Sequence, residues 1–427
     1  MKFFFKKRPS ISSKKKYLII TTSGGGGHLQ AAKAKKEEIY QSNPNAYFIE
    51  KNIVETAGGK YLGKFMIDWI WNTAQRKGSV KALDLCAYSI PLFDILFWIP
   101  VFFQILNLLF QEGVDEVIDT QPMSTSSIIS ATYLYSKLAK KRVLVHKILT
   151  ELPTHYSSHY LKPIKKLSSK KRELIKLITT KPLLSENESE QTFWELLAKL
   201  SSTQIVYDQL PIRSSFKNVI IKPQSCLNLR FTFKNEEEKT LLCKVLSLSN
   251  YRVDGQILDL KLESDDHVTT IMLGSQPMQE ATLDYVKNFI ELVKRYNHNQ
   301  KFYLFIFCSD KKYEPIPLQK RIFSMIESFE NFPSNLIVIP MSSQTDEVIA
   351  PLYGKSMATI TKAGGITSME LLVASKGKIW IHHEIPDALN TKGMPRWEYG
   401  NALYLQKIKG ASLTTPKTFF NDFSLMI

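Results

Sequence analysis

The chain predicts an α/β protein made of two Rossmann-like halves with parallel sheets. Three observations carry that expectation. A short apolar run followed by a glycine- or serine-rich turn and a helix occurs three times: Tyr17–Thr22 before Ser23–His28, Val268–Leu273 before Gly274–Pro277, and Met357–Ile360 before Thr361–Glu370. Between these units, apolar strands alternate with helical stretches, and such alternation needs crossovers that make the strands parallel. Finally, 427 residues are too many for one ordinary core and suit two domains.

In chain order, residues 1–16 carry seven Lys/Arg and no acid. They read as a solvated tail or as a basic tether with Phe3–Phe5 dipping into a membrane interface. There is no apolar core of a secretory signal behind Met1. A second strand is expected at Tyr47–Ile49, then helices containing Trp69, Trp71 and Tyr88. Ser89–Phe110 is long enough to span a bilayer. Asp94, Gln104 and Asn107 oppose a span, and Pro91 and Pro100 are expected to interrupt the helix; the alternatives are an interfacial dip and packed core.

Strands are expected at Val114–Thr120 and Arg142–Thr150, with a helix between them to Leu138. Lys137–Lys181 holds thirteen Lys/Arg against two acids. With a formal net charge of +16, this favours an anionic surface as partner. Nucleic acid is disfavoured, because the sequence has no zinc-finger, RNP or clear helix-turn-helix pattern. Residues 217–267 read as a linker with decoration, with strand-like pieces around Val219–Ile221. Further strands are expected at Phe302–Phe307 and Leu336–Ile339. The four cysteines are scattered and form no CxxC pair, which fits a reducing compartment.

The turns carry the chemistry. In Thr361–Glu370 two glycines let the backbone approach a ligand, and the helix N-terminus that follows favours a phosphate. Glu370 can support the helix start or accept hydrogen bonds from vicinal hydroxyls. An ordinary βα turn has the same local pattern. Ser23–His28 is neither a Walker A loop nor a dinucleotide fingerprint, since no Gly-Lys-Ser/Thr follows and Leu29 stands at the third glycine position. His28 at that helix start could act as a general base. Parallel sheets gather functional loops at the carboxyl ends of their strands, which places His28, Asp119, Glu151 and His155 on one edge.

Six segments in order resemble the monogalactosyldiacylglycerol synthase / processive diacylglycerol glucosyltransferase family. They are Ser23–His28, Thr150–His155, Pro211-Ile212-Arg213, Gly274-Ser275-Gln276, Thr361–Glu370 and Glu398–Ala402. That family is related to the N-acetylglucosaminyltransferase of peptidoglycan lipid synthesis, in glycosyltransferase family 28. The resemblance implies a GT-B fold, with the acceptor in the N-terminal domain and a UDP-sugar in the C-terminal domain. It implies His28 as base or orienting group, with Gly26, Gly27, Asp119, Glu151 and His155 on the acceptor side. On the donor side it implies Gly274, Ser275 and Gln276 with Gly364, Gly365, Ile366 and Thr367 along the diphosphate, Lys362 adding charge there, Glu370 on the ribose, and Glu398 and Asn401 near the sugar or ribose.

The implied activity is inverting transfer of a hexose from a UDP-sugar to a lipid acceptor such as diacylglycerol, with no separate cofactor and no metal. The expected partners are the UDP-sugar, a lipid acceptor and an anionic membrane surface, and the expected location is cytoplasmic and peripheral on the membrane. A nucleotide-sugar epimerase of the same fold and a catalytically weak membrane-binding descendant are the alternatives. The expected division is a basic tail at 1–16, an N-terminal acceptor domain at 17–216, the linker at 217–267 and a UDP-sugar domain at 268–427.

Three departures from the family stand out. Its sugar-contacting Pro-Gly-Gln-Glu-Glu-Gly-Asn pattern is interrupted between Ile385-Pro386 and Trp397. Glu151 replaces an aspartate. The helix beginning at Pro416 ends at Ile427, where family members continue with helices that return to the N-terminal domain.

Overall fold

Each buried parallel strand needs a covering crossover, and the computed structural model is built from such units. It describes residues 14–22, 26–53, 56, 73, 74, 77, 79–207, 210–274, 278–295, 300–309, 316–386 and 392–424. The N-terminal half contains β1 (Lys16–Thr21), α1 (Gly27–Ser42), β2 (Tyr47–Asn52), α2 (Val80–Leu96), α3 (Trp98–Glu112), β3 (Glu116–Asp119), α4 (Thr125–Leu138), β4 (Leu144–Ile148), α5 (Ser158–Lys165), β5 (Ile175–Thr179), α6 (Glu190–Ala198) and β6 (Ile205–Tyr207). Its six strands lie in the order β2-β1-β3-β4-β5-β6, every neighbouring pair parallel.

The second half contains β7 (Leu227–Thr232), α7 (Glu236–Val245), β8 (Asn250–Asp254), β9 (Ile257–Leu262), β10 (His267–Met272), α8 (Gln279–Arg295), β11 (Phe302–Phe307), α9 (Leu318–Ser328), β12 (Leu336–Met341), α10 (Asp346–Lys355), β13 (Ala358–Thr361), α11 (Gly365–Ala374), β14 (Lys378–His382), α12 (Arg396–Lys409), β15 (Ser412–Thr414) and α13 (Pro416–Ser424). Its parallel sheet runs β12-β11-β10-β13-β14-β15. β11 and β12 are buried along their whole length, as doubly covered parallel strands require. Two Rossmann-like domains facing across a cleft form the GT-B architecture.

The strand order locates the functional edges. Chain order reverses between β1 and β3 in the first sheet and between β10 and β13 in the second. Crevices at such switch points, outside the carboxyl ends of the strands, hold ligands in open α/β sheets. The turns after β1 and β3 therefore face the turns after β10 and β13.

The interval 217–267, expected as a linker with decoration on the second domain, is an ordered layer on that domain. It forms the antiparallel sheet β7-β9-β8 plus α7. Leu227, Leu229, Phe231, Leu258 and Leu260 bury one face of it against Tyr303, Phe305 and Ile339 of the C-terminal sheet. The interval is thus part of the C-terminal core, and the strand-like reading of Val219–Ile221 is not met. Two buried groups fix it there. Glu238 accepts from Gln319 Nε2 at 2.9 Å and Ser342 N at 2.8 Å. The Lys355 ammonium donates to Pro223 O at 2.7 Å and Glu263 O at 2.6 Å.

Among the described residues no single helix is long and apolar enough to cross a membrane. The apolar stretch is the pair α2–α3, bent by 63° at Phe97. The break is not at Pro91, which lies inside α2. One face of α3 buries Val101, Ile105 and Leu109. The other side of the pair exposes Leu85, Tyr88, Leu92, Ile95, Ile99 and Phe103, with Leu85 at 70% and Ile95 at 73%. The helices expected around Trp69 and Trp71 lie outside the described residues, as does the tail 1–13. At the other end, α13 packs Phe419 and Phe423 onto Tyr285 and Phe289 of α8.

Candidate active site in the interdomain cleft

The two switch points enclose a cavity of about 320 Å³ lined from both domains. Gly26, Gly27, His28, Thr150, Glu151, Tyr160 and Arg213 come from the first half. Gly274, Lys362, Gly364–Thr367, Glu370, Trp397 and Glu398 come from the second. Most of the residues singled out in the sequence meet here.

His28 starts α1, and its Nδ1 lies 2.6 Å from Thr120 O. A carbonyl only accepts, so Nδ1 carries the proton and Nε2 keeps its lone pair. Thr150 Oγ1 lies 3.2 Å from the same Nδ1. Burial pushes the imidazole down to about 4, and the nearby Lys147 charge adds to that shift. The ring is neutral at neutral pH, the form a general base requires.

The opposite wall is the N-terminus of α11. Gly364 and Gly365 open this helix three residues after β13, and among the described residues no side chain caps its first N–H groups. A Cβ on Gly365 would stand 1.9 Å from Thr150 O, so only glycine permits this contact between the domains. Lys362 lies 3.6 Å from Glu398 in the first turn of α12. At the end of β10, Gly274 has φ 91°, a left-handed conformation that glycine adopts without strain. Ser275 and Gln276 lie outside the described residues.

Glu370 is 3% exposed and sits one turn inside α11. Its Oε1 accepts from Arg213 Nη2 at 2.7 Å and Nε at 3.2 Å, and another Arg213 Nη binds Asp346. Burial raises Glu370 to about 7 against the pull of Arg213. Burial also raises Glu151, to about 8; Asn401 lowers it, and the charge of Glu398 adds to the rise.

Three expected site residues do not line the cavity. Asp119 is fully buried, 2.9 Å from Lys147, and accepts from Gln121 N at 3.1 Å. Thr125 Oγ1 adds a third contact at 3.4 Å, and the carboxylate has no exposed surface. His155 lies away from the cavity, in a short turn where Nε2 meets Glu188 at 3.0 Å and the ring abuts Phe193. Asn401 is fully buried and does not line the cavity. Its amide accepts from Leu152 N at 2.8 Å and donates to Glu151 and, at 2.8 Å, to Ala363 O. It ties the acceptor-side loop to the donor-side turn, and both of its N–H donors are taken.

Sequence reading missed Tyr160 and Trp397 on the cavity wall and gave Arg213 no role. Trp397 would have been hard to find: it begins a helix of the second half yet packs into the core of the first. Among the described residues no group of three or more His, Cys, Asp or Glu side chains is arranged to hold a metal ion.

The architecture defines the class, a two-domain GT-B protein with its cavity at paired switch points. No family model matches the chain, and no curated protein matches it. Among solved structures it is similar to MurG from Acinetobacter baumannii, with 14% identity and a TM-score of 0.43 over 97% of this chain and 90% of that one. It is also similar to a UDP-GlcNAc 2-epimerase from Methanocaldococcus jannaschii, with 12% identity and a TM-score of 0.44 over 97% and 92%. A UDP-forming α,α-trehalose-phosphate synthase from Burkholderia vietnamiensis gives 8% identity and a TM-score of 0.43 over 97% and 89%. Likeness at this level carries no argument about activity, which is argued below from the cavity.

Proposed function

We propose that this protein is a membrane-associated inverting glycosyltransferase that moves a hexose from a UDP-sugar to the hydroxyl of a lipid acceptor such as diacylglycerol. The observation that carries the reading is the facing of two walls across one cavity. On one side is a neutral imidazole with its Nε2 lone pair available. On the other is a helix N-terminus that no described side chain caps, with a lysine beside it.

The chemistry follows from that pairing. His28 Nε2 takes the proton of the acceptor hydroxyl as its oxygen attacks the anomeric carbon. The bond from that carbon to the β-phosphate oxygen breaks, and UDP leaves with the electron pair. The N–H groups of Gly365–Thr367 and the Lys362 ammonium offset the charge that develops on the diphosphate. Attack from the side opposite UDP inverts the anomeric centre.

The exposed apolar side of α2–α3 supports a lipid acceptor. Lysines neighbour it, with Lys166 close enough to act on Asp94 of α2 and Lys162 and Lys170 exposed nearby in the chain. An apolar face with adjacent cations suits an anionic bilayer surface.

A panel of UDP-sugars incubated with diacylglycerol-containing liposomes tests the reading. UDP release and a glycolipid product with at least one donor are expected. Folded protein that releases no UDP above the blank with any donor contradicts it.

A further inference from the structure

Pro211-Ile212-Arg213 closes the first half of the chain, and the catalytic scheme above gives it no task. Ile212 and Phe216 are buried in a cluster shared by both domains, and the single turn Ser214–Lys217 holds the segment in place. This anchoring delivers the Arg213 guanidinium to the C-terminal domain. There it stacks 4.8 Å from the Phe216 ring centroid, binds Asp346 at the start of α10, and gives two bonds to Glu370.

Both Arg213 bonds fall on Glu370 Oε1. No bond among the described residues falls on Oε2, and Glu370 lines the cavity. We infer that Arg213 is a positioning residue for the donor ribose: it clamps one oxygen of Glu370 so that the other faces the cavity and accepts the vicinal hydroxyls. The inference rests on the donor-site reading above.

Two considerations make the clamp necessary. A carboxylate buried this deeply is driven toward its neutral form, which donates one hydrogen bond instead of accepting two. Arg213 opposes that drive, yet burial still leaves Glu370 at about 7. A loose Glu side chain would also have to be ordered on every binding event. The charged groups around Glu370 are Arg213 and Asp346, with Tyr353 of α10 within reach of its charge and Lys33 of α1 3.9 Å from Asp346. Asp346 pushes Glu370 toward its neutral form and Arg213 outweighs it locally, so loss of Arg213 raises Glu370 further.

Calorimetric binding of UDP and of 2′-deoxy-UDP to the full chain, between pH 6 and pH 9, tests this. For the wild type, preference for UDP should rise with pH through about 7, as Glu370 ionises. In Arg213→Met the preference should fall about tenfold at pH 7, roughly the loss of one charge-assisted hydrogen bond, and its pH midpoint should move up by about one unit or more. Arg213→Lys should restore part of it. Glu370→Gln keeps the shape of the neutral acid and should show the low preference at every pH, which separates the role from a folding defect. Unchanged preference and midpoint in Arg213→Met, with UDP still bound, would overturn the inference and leave the donor site standing. Failure of wild-type protein to bind UDP at all would overturn both.

Discussion

The turn after β1 and the turn after β13 are built alike and present opposite chemistry. Each follows a buried strand, stands at the switch point of its sheet and opens a helix toward the same cavity. The first presents a neutral imidazole. The nearest cation behind it, Lys147, is taken up by Asp119 and Gln121. The second presents a helix N-terminus, Lys362, and a carboxylate braced by Arg213. The backbone geometry makes both turns capable of meeting a ligand. In the proposed reaction the side chains packed behind each set its ligand: a hydroxyl to be deprotonated on one side, a diphosphate and a diol on the other.

That contrast is broken most sharply at His28. His28→Ala should lower kcat by about 10²–10⁴-fold, the usual worth of a positioned base, while UDP affinity stays within about twofold. Turnover and UDP binding by calorimetry report the two halves separately. Parallel loss of both would mean that His28 belongs to the nucleotide wall.

Glu151 provides a smaller and finer test. It sits between the walls, buried, with its carboxyl raised from 4.5 to about 8. A folded-state value above the unfolded one stabilises the fold fully at pH below the unfolded value, and this contribution is lost as pH rises toward 8. Thermal unfolding should therefore show stability declining between pH 5 and pH 8. Glu151→Gln, which keeps the neutral shape, should flatten that decline by on the order of 2 kcal/mol. An identical pH profile in the variant would show that the group is ionised in the fold.

What could be read in the sequence was what is local. Thr361–Glu370 combines a strand, two glycines and a helix start within ten residues, and the structure keeps that order, with β13 ending at Thr361 and α11 starting at Gly365. Ser23–His28 was equally plain in pattern, and His28 does line the cavity, although residues 23–25 lie outside the described part. The interval 217–267 carries a weaker signal of its own. Leu227, Leu229 and Phe231 alternate with Asn228, Arg230 and Thr232, the period of a half-buried strand. Its short strands and the acidic run Glu236–Glu238 between them concealed that alternation. The charge pairings could not be read at all. Arg213 meets Asp346 and Glu370 across 133 and 157 residues, and Asn401 meets Glu151 across 250. Such pairs leave no spacing rule in the chain, because tertiary packing alone brings them together. The same cause hid the burial of Asp119, whose partner Lys147 lies on the neighbouring strand.

In the proposed reaction the α11 turn binds the nucleotide and the α1 turn serves the acceptor. An experimental structure of the protein with UDP tests it most directly. The diphosphate is expected over the N–H groups of Gly365–Thr367, the ribose on Glu370, and His28 Nε2 free of the nucleotide. UDP bound with its diphosphate on the His28 side, or bound outside this cavity, would contradict it.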